Sequence, residues 1–260
     1  MTVNVIDAII NLLNNPIINL QATYLGRNRI NNVGDALERY IQDLFINGFD
    51  LDENQRNFRI NQHFSYLGNT SNPPDMMLRD GDAIEVKKIE SRNSDLALNS
   101  SYPKATLNAS STMLTAACRT AEEWTQKDIL YAVGIINNQS LNALCFVYGV
   151  NYFANEKLYT IPTQSDFTDI NEVVTVDLTA KWRIKNPFHV FDYIYQPKYS
   201  SDFNFMAIIN DKKWQEFDNI SSLEMMINNQ PNAQLRTVEV KNPNLENAYE
   251  SAHLITFFSK

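Results

Sequence analysis

The sequence is poor in the features that mark membrane-spanning and secreted proteins. No apolar run approaches the length needed to cross a bilayer. The opening residues, MTVNVIDAIINLL, contain neither a basic segment nor a small-residue cleavage site, so we expect no secretory signal peptide. The two cysteines, Cys118 and Cys145, lie in apolar stretches without metal-ligand spacing, and free thiols suit a reducing compartment. These absences predict a cytoplasmic protein.

Positive charge is also scarce in this chain. Lysine and arginine number 22 against 30 aspartates and glutamates, which gives a formal net charge of -8 and a pI near 4.9. Proteins that bind nucleic acid by electrostatics alone are usually basic, so avid non-specific binding is disfavoured. An enzyme acting on nucleic acid is still compatible with this charge, because basic residues can gather in one cleft and a divalent cation can offset carboxylates.

Several common hydrolase signatures are missing as well. The sequence has no Gly-x-Ser-x-Gly elbow and no convincing pairing of Cys with His, so a serine or cysteine hydrolase is disfavoured. It also has no internal repeat, low-complexity tract or flexible linker. With 44% hydrophobic residues, the 260-residue chain can bury a sizeable core. We therefore expect one domain.

One stretch of the chain combines a hairpin with three charged side chains. Asp75 follows Pro73-Pro74, and a second run, Glu85-Val86-Lys87, comes after the turn signal Asp80-Gly81. Glycine accepts the positive φ that a tight hairpin turn requires, so Asp75 and Glu85 are expected on adjacent antiparallel strands. Side chains alternate along a strand, which places Glu85 and Lys87 on one face and Val86 on the apolar face.

Two carboxylates and one ammonium at one spot suit metal-assisted phosphodiester hydrolysis. Carboxylate oxygens bind Mg²⁺, which keeps several waters and can also bind a phosphate oxygen. The ion lowers the pKa of a bound water, and a neighbouring lysine can orient that water or stabilise the developing charge. The alternative is a solvated strand face with cross-strand ion pairs, which is the commoner origin of Glu-x-Lys. A second copy, Glu239-Val240-Lys241, lacks a preceding Pro-Asp and is interpreted as structural.

The residues around the hairpin carry a family resemblance. Pro74-Asp75 with Glu85-Val86-Lys87 resembles the PD-(D/E)XK signature of restriction-endonuclease-like nucleases. The longer run FSYLGNTSNPPDMMLRDGDAIEVKKIESRNSDLALNSSYPK, from Phe64 to Lys104, resembles the NgoPII family of type II restriction endonucleases. Gly34-Asp35-Ala36-Leu37-Glu38 and Glu122-Glu123-Trp124-Thr125 extend this likeness over about the first half of the chain.

The resemblance implies a fold and an activity. The fold is α/β, with a restriction-endonuclease-like αβββαβ core of mixed sheet flanked by helices and additional C-terminal elements. The activity is Mg²⁺-dependent hydrolysis of both strands of duplex DNA at a short palindromic site, with GGCC suggested as the target. Twofold symmetry of the site implies a homodimer, and the family context implies a cognate DNA methyltransferase as functional partner. Asp75 and Glu85 would hold the metal, and Lys87 would orient or activate the water.

Glu38 is a further candidate for the catalytic centre. Apolar residues recur at helical spacing from residue 32 to residue 45, which predicts a helix with Glu38 one turn from its start. In many nucleases of this class such a helix offers one extra acid to the metal site, and Glu38 is the matching residue. An ordinary exposed glutamate is the equal alternative.

The segment after the hairpin is the candidate DNA-reading segment. It reads LALNSSYPK from Leu96 to Lys104 and has no clean period. Short polar side chains can donate and accept hydrogen bonds in a groove, and a lysine can meet phosphate. An ordinary loop is the alternative. The candidate DNA-binding residues are Asn99, Ser100, Ser101, Tyr102 and Lys104.

The remaining elements are predicted from periodicity and turn signals. We expect a helix at 3–14, a polar turn-rich stretch at 47–61, a first core strand at 63–67, a helix at 112–125 and strands at 128–136, 141–148, 157–162 and 173–178. Basic and aromatic residues mix at 181–185, 193–201 and 212–214, which suits either a DNA-facing surface or a solvated strand. The expected catalytic core is about 32–150, and 151–260 is an elaboration for DNA recognition or dimerisation.

Two other functions remain compatible with the residues. A DNA repair or recombination nuclease on the same scaffold would act on DNA structure instead of sequence. A catalytically inert DNA-binding module would keep the fold without the reaction, although the presence of Asp75, Glu85 and Lys87 argues against such decay.

Overall fold

The structure is a computed structural model that describes most of the 260-residue chain. The described residues are 2–24, 33–69, 72–98, 103–138, 140–154, 173–176, 182–197, 203–244 and 248–259. The helices are α1 Val5–Asn14, α2 Leu20–Tyr24, α3 Val33–Ile46, α4 Glu53–His63, α5 Ala116–Arg119, α6 Gly149–Tyr152, α7 Pro187–Val190, α8 Asp211–Trp214 and α9 Ile220–Asn228. The strands are β1 Phe64–Asn69, β2 Asn72–Leu78, β3 Ala83–Ile89, β4 Leu96–Leu98, β5 Thr106–Asn108, β6 Gln126–Asn137, β7 Ser140–Tyr148, β8 Val173–Val176, β9 Trp182–Ile184, β10 Phe203–Asn210, β11 Ala233–Lys241 and β12 Tyr249–Ser259.

A large mixed sheet organises the fold. Its strand order is β1-β2-β3-β6-β7-β10-β12-β11, and β5 adds to β6 beside this path. The pairs β3–β6 and β7–β10 are parallel, whereas β1–β2, β2–β3 and β6–β7 are antiparallel. A second, three-stranded sheet has the order β4-β9-β8. The chain therefore has the mixed α/β architecture that the sequence predicts.

The two faces of the large sheet are covered by different elements. One face packs against α1, α3 and α9, with Ile84 and Val86 of β3 in that cluster. The other face carries a second apolar cluster that includes Met77 of β2, Trp182 of β9 and Phe188 of α7. Because both faces are covered, the central strands β6 and β7 are buried along nearly their whole length.

Several elements lie where the sequence predicts them. The first helix, the helix that carries Glu38, the hairpin that carries Asp75 and Glu85, and the pair of strands β6 and β7 are all confirmed. Strand β8 covers the first four residues of the expected strand at 173–178. The strand expected at 157–162 falls outside the described residues.

The helix expected at 112–125 is wrong. Only one turn, α5, forms there, because Thr115 is its N-cap and the helix begins only after it, at Ala116. The Thr115 hydroxyl accepts from the Cys118 N–H at 3.1 Å, and the Thr120 hydroxyl donates to the Ala116 carbonyl at 3.0 Å. The Trp124 indole N–H then donates to the Cys118 carbonyl and turns the chain back.

The stretch at 47–61, expected to be turn-rich, is largely helical. Asp52 caps α4 by accepting from the N–H groups of Asn54 and Gln55, each at 2.9 Å. The Gln55 side chain accepts in return from the Asp52 N–H, which completes a capping box. His63, expected in the first strand, is the last residue of this helix.

Among the described residues, no helix is long and apolar enough to span a bilayer. Both cysteines, Cys118 and Cys145, are free and buried.

Candidate active site

The β2–β3 hairpin brings the motif residues onto neighbouring strands as predicted. Met76 pairs with Ile84 and Met77 with Ala83, so Asp75 lies next to Glu85. The turn differs in one detail: the positive φ, 55°, is at Asp80 instead of Gly81. Aspartate tolerates this left-handed conformation better than most residues. Its N–H is also held by the Glu122 carboxylate at 3.0 Å.

The three motif side chains form one hydrogen-bonded and charged group. The Asp75 carboxylate accepts from the backbone N–H of Val86 at 2.6 Å. The Lys87 ammonium lies 2.5 Å from the Glu85 carboxylate. Glu85 is only 6% exposed, whereas Lys87 is partly exposed. The hairpin thus presents Asp75, Glu85 and Lys87 together, as their spacing predicts.

Helix α3 adds Glu38 to the same electrostatic cluster. Burial raises the pKa of Glu38, and the charge of Asp35 raises it further. Lys87 lowers it and Glu85 raises it, so Glu38 is close enough to sense both motif residues of β3. Glu38 therefore lies within electrostatic range of the motif residues, whereas direct contacts join Asp75, Glu85 and Lys87.

Crowded negative charge shifts the protonation of this cluster. Burial and the neighbouring Glu85 carboxylate raise the pKa of Asp75 to about 8, against an opposing effect of Lys87. Burial lowers the pKa of Lys87, but the carboxylates of Glu85, Asp75 and Glu38 outweigh burial and raise it above its usual value. Lys87 is therefore an ammonium at neutral pH, paired with the Glu85 carboxylate.

The chemistry of this donor set fits a hard divalent cation. Asp75 and Glu85 supply carboxylate oxygens, and the buried Glu85 Oε2 finds no hydrogen-bond partner in the described part of the chain. An added positive charge would relieve the repulsion that raises the pKa of Asp75. Among the described residues, no three His, Cys, Asp or Glu side chains are grouped closely enough to hold a metal ion, and Lys87 supplies the local positive charge.

The expected DNA-binding segment is only partly described. Asn99, Ser100, Ser101 and Tyr102 lie outside the described residues. Lys104, expected to meet phosphate, is instead buried at 1% exposure, with its ammonium 3.8 Å from the Met113 sulfur. Its backbone N–H donates to the Tyr131 hydroxyl at 3.3 Å. Lys104 therefore belongs to the interior of the fold.

Sequence reasoning missed the residues that anchor the far end of the hairpin. Lys127 donates to the carbonyls of Leu78 and Gly81, at 3.2 and 2.6 Å. It also pairs with Glu122, whose other oxygen holds the turn. No local sequence signal marks Lys127, because its partners are far away along the chain.

A second anchor holds the start of β3. The Lys213 ammonium contacts the carboxylates of Asp82 at 2.7 Å, Glu216 at 3.0 Å and Asp128 at 3.1 Å. The Tyr148 hydroxyl donates to Asp82 at 2.7 Å. Burial lowers the pKa of Lys213, but these carboxylates outweigh burial and raise it above its usual value, so the lysine stays charged. The basic and aromatic stretch at 212–214 thus directs Lys213 inward, not to a DNA-facing surface.

The second Glu-Val-Lys tripeptide is placed differently from the first. It lies at the end of β11, which forms the outer edge of the sheet. Glu239 and Lys241 are exposed and Val240 is buried. The Lys241 N–H donates to the Tyr193 hydroxyl at 3.2 Å. These contacts are those of an ordinary edge strand, in agreement with the structural interpretation.

Comparison with known proteins extends the likeness beyond the hairpin. The sequence model of the NgoPII restriction endonuclease family matches residues 3–181 and 172–241. A protein described as type II restriction enzyme NgoPII, from Neisseria gonorrhoeae, is 44% identical over 277 aligned residues, which cover 98% of this chain and 99% of the relative. No solved structure matches the chain. Because the match spans nearly every element described above, the chain belongs to the NgoPII restriction endonuclease family and is a type II restriction endonuclease.

Proposed function

We propose that this type II restriction endonuclease hydrolyses both strands of duplex DNA at a short palindromic site in a Mg²⁺-dependent reaction. The observation that carries the proposal is the grouping of Asp75, Glu85 and Lys87 on the neighbouring strands β2 and β3. Glu38 on α3 lies within electrostatic range of Lys87 and Glu85. Family membership supports site-specific deoxyribonuclease activity. The proposed target sequence, GGCC, comes from the family resemblance and not from the residues of the site.

Asp75 and Glu85 are the proposed metal ligands. The Val86 N–H orients the Asp75 carboxylate at 2.6 Å and leaves its second oxygen for another partner. Glu85 turns one oxygen to Lys87 and keeps Oε2 buried without a hydrogen bond in the described part of the chain. When bound there, Mg²⁺ supplies Lewis-acid stabilisation of the phosphate and lowers the pKa of a water.

Lys87 is proposed to orient the attacking water and to stabilise charge at the phosphate. Its raised pKa keeps it protonated, so it donates hydrogen bonds and does not accept the water's proton in this state. The Glu85 contact limits where the ammonium can lie. Glu38, with a raised pKa of its own, is the proposed assisting acid on the α3 side.

The proposed fold is the restriction-endonuclease-like core with additional C-terminal elements. Helix α3, strands β1 to β3 and strands β6 and β7 supply the central part of the αβββαβ arrangement, and the parallel β3–β6 pair supports it. We propose residues 1–260 as one endonuclease domain with its catalytic core at about 32–150. Residues 151–260 are the proposed elaboration for DNA recognition or dimerisation, and β10 joins them to β7 by backbone pairing.

The proposal also names the partners. A palindromic site calls for a homodimer with one centre for each strand, and a cognate DNA methyltransferase would protect the host's own sites. The segment Asn99 to Tyr102 is the proposed DNA contact. The two buried free thiols support a cytoplasmic location.

Digestion of unmodified phage DNA with and without Mg²⁺, beside the Asp75→Ala protein, tests the proposal. We expect discrete fragments that need Mg²⁺ and are lost in the variant, and their end sequences would identify the site. Smeared products without discrete bands would favour a structure-specific or non-specific nuclease. No cleavage with any divalent metal, or equal cleavage by the variant, would overturn the proposed reaction and favour an inert DNA-binding module.

A further inference from the structure

Helix α4 exposes a stripe of amide side chains around a phenylalanine. The stripe consists of Asn54, Asn57, Phe58, Asn61 and Gln62, which share one helical face by their spacing. All five are exposed, and Phe58 is 71% exposed. None of the four amide side chains makes a hydrogen bond within the described part of the chain. This face is therefore free to bind another molecule.

The inner face of α4 is held by arginines, with only one large apolar residue, Ile60, in the core. Arg56 is buried and contacts Asp43 at 2.6 Å and Gln42 at 2.7 Å. Arg59 donates to the Ile46 carbonyl at 2.8 Å. An ordinary amphipathic helix turns its aromatic residue inward and its arginines outward. The reversed arrangement leaves the largest apolar side chain of the helix available at the surface.

Both elements that carry the catalytic cluster hold this helix. Arg39, the neighbour of Glu38 on α3, pairs with Glu53 at 2.6 Å near the start of α4. At the other end, Arg79 from the catalytic hairpin donates to the carbonyls of Asn61 and Phe64, each at 3.2 Å. The stripe is thus fixed relative to Glu38 and to the hairpin through charged contacts at both ends.

The chemistry of the stripe fits duplex DNA. Amide side chains donate and accept hydrogen bonds, so they can read base edges and also bind phosphate oxygens. Phe58 can pack against sugars or a thymine methyl group. The five stripe residues include no carboxylate, although the whole chain has a net charge of -8. A neutral donor-rich surface avoids phosphate repulsion without needing lysine or arginine.

We infer that the exposed face of α4 contacts the DNA substrate in its major groove and contributes to recognition of the site. This inference rests on the proposed function and deepens it, because it adds a binding surface separate from the catalytic cluster. An α-helix fits the width of the major groove. The rival occupant, a second copy of this chain, would also bury Phe58, and the test separates the two.

The first experiment measures DNA affinity by fluorescence anisotropy in the Asp75→Ala background, which is expected not to cut the probe. The probe is a duplex oligonucleotide that carries the site read from the fragment ends of the wild-type digest. The test variant is Asn57→Ala/Phe58→Ala/Asn61→Ala. The matched control is Met225→Ala/Asn228→Ala, which truncates two exposed residues on α9.

The stripe variant is expected to bind the probe about tenfold or more weakly, since one good base contact gives about that discrimination. The α9 control is expected to bind as its parent does. Unchanged affinity of the stripe variant would overturn the inference. Conversion of a dimer to a monomer in sedimentation, with DNA affinity restored at high protein concentration, would assign the face to a second copy and also overturn it.

A second variant is designed to bind DNA more tightly, which is a change that misfolding would not produce. Asn57→Lys places a cation on the stripe and is expected to bind duplex DNA more tightly at low salt, with a log-log salt slope steeper by about one. Asn228→Lys adds the same charge on α9 and is expected to leave the slope unchanged. Equal effects of the two substitutions on DNA binding would count against the inference that the stripe contacts DNA. Absence of cleavage by the wild-type chain would instead count against the proposed function.

Discussion

The Asp75 carboxylate accepts a 2.6 Å hydrogen bond from the backbone N–H of Val86, the residue between Glu85 and Lys87. One contact therefore fixes the register of both strands and the orientation of the first acid. Because a side chain is bonded to the backbone of the neighbouring strand, movement of the hairpin would move Asp75, Glu85 and Lys87 together. The geometry of the centre depends on the hairpin as a unit.

The first prediction concerns pH. In the absence of metal we expect the protein to lose stability as the pH rises from about 4 to about 8. The pKa of Asp75 is raised from 3.8 to about 8 in the fold, so the folded state holds the extra proton across this range. Stability from this group is complete below the unfolded pKa and is lost as the pH rises through the folded value. One proton gives a slope of at most about 1.4 kcal/mol per pH unit.

Urea unfolding in EDTA at several pH values measures this slope. Asp75→Asn removes the titrating group and is expected to flatten the dependence. A divalent cation is expected to flatten it in the wild-type protein as well, because the cation favours the ionised carboxylate. Identical pH profiles for the wild-type protein and Asp75→Asn, both without metal, would contradict the prediction.

The second prediction separates the proposed catalytic role of Lys87 from the effect of its ion pair with Glu85 on cation binding. Lys87→Gln is expected to lower the rate of DNA cleavage by roughly a hundredfold or more, since it removes the charged donor that we propose stabilises the reacting phosphate. The same change is expected to tighten binding of Ca²⁺, because the ammonium that lies 2.5 Å from Glu85 no longer competes for that carboxylate. Single-turnover cleavage and calorimetric titration measure the two effects.

Lys88 supplies the control for this experiment. It follows Lys87 on β3, is exposed and points to the opposite face of the sheet. Lys88→Gln is expected to leave Ca²⁺ affinity unchanged. Weaker cation binding by Lys87→Gln would show that the lysine supports the site instead of competing for it.

The third prediction uses the repeated Glu-Val-Lys tripeptide as an internal comparison. Glu85→Gln is expected to abolish detectable cleavage, because it removes a proposed metal ligand that is 6% exposed and beside Asp75. Glu239→Gln changes the same residue type in an exposed edge strand and is expected to cleave DNA at the wild-type rate. Timed digestion of one plasmid by both proteins makes the comparison, and similar losses would contradict it.

The hairpin was predictable because its determinants are local. The turn residues, the alternation of Ile84, Glu85 and Val86, and the Pro-Asp start all lie within fifteen residues of sequence. The helix around Glu38 was predictable from its apolar period, but periodicity could not show that Glu38 lies within electrostatic range of the hairpin. That placement depends on packing of α3 against β3 across the sheet.

Elements held by distant polar contacts were not predictable in this way. Helix α4 has few apolar residues and is held by the Arg56–Asp43 pair and by Arg79, so its periodicity signal is weak. The helix expected at 112–125 has good apolar spacing, but Thr115 caps a single turn that begins at Ala116 and ends at Arg119. Lys104 has the charge of a phosphate ligand, yet the fold buries it.

The fourth prediction concerns Lys213, whose inward role also depends on distant residues. Lys213→Met leaves the buried Asp82 carboxylate without its cation and is expected to lower the free energy of unfolding by about 3–5 kcal/mol. Lys212→Met changes the exposed neighbour and is expected to stay within about 0.5 kcal/mol of wild type. Adding Asp82→Asn to Lys213→Met removes the uncompensated charge and is expected to recover part of the loss. Urea unfolding of the four proteins tests the set. Equal effects of Lys212→Met and Lys213→Met would show that the contacts of Lys213 with Asp82, Asp128 and Glu216 do not anchor the start of β3.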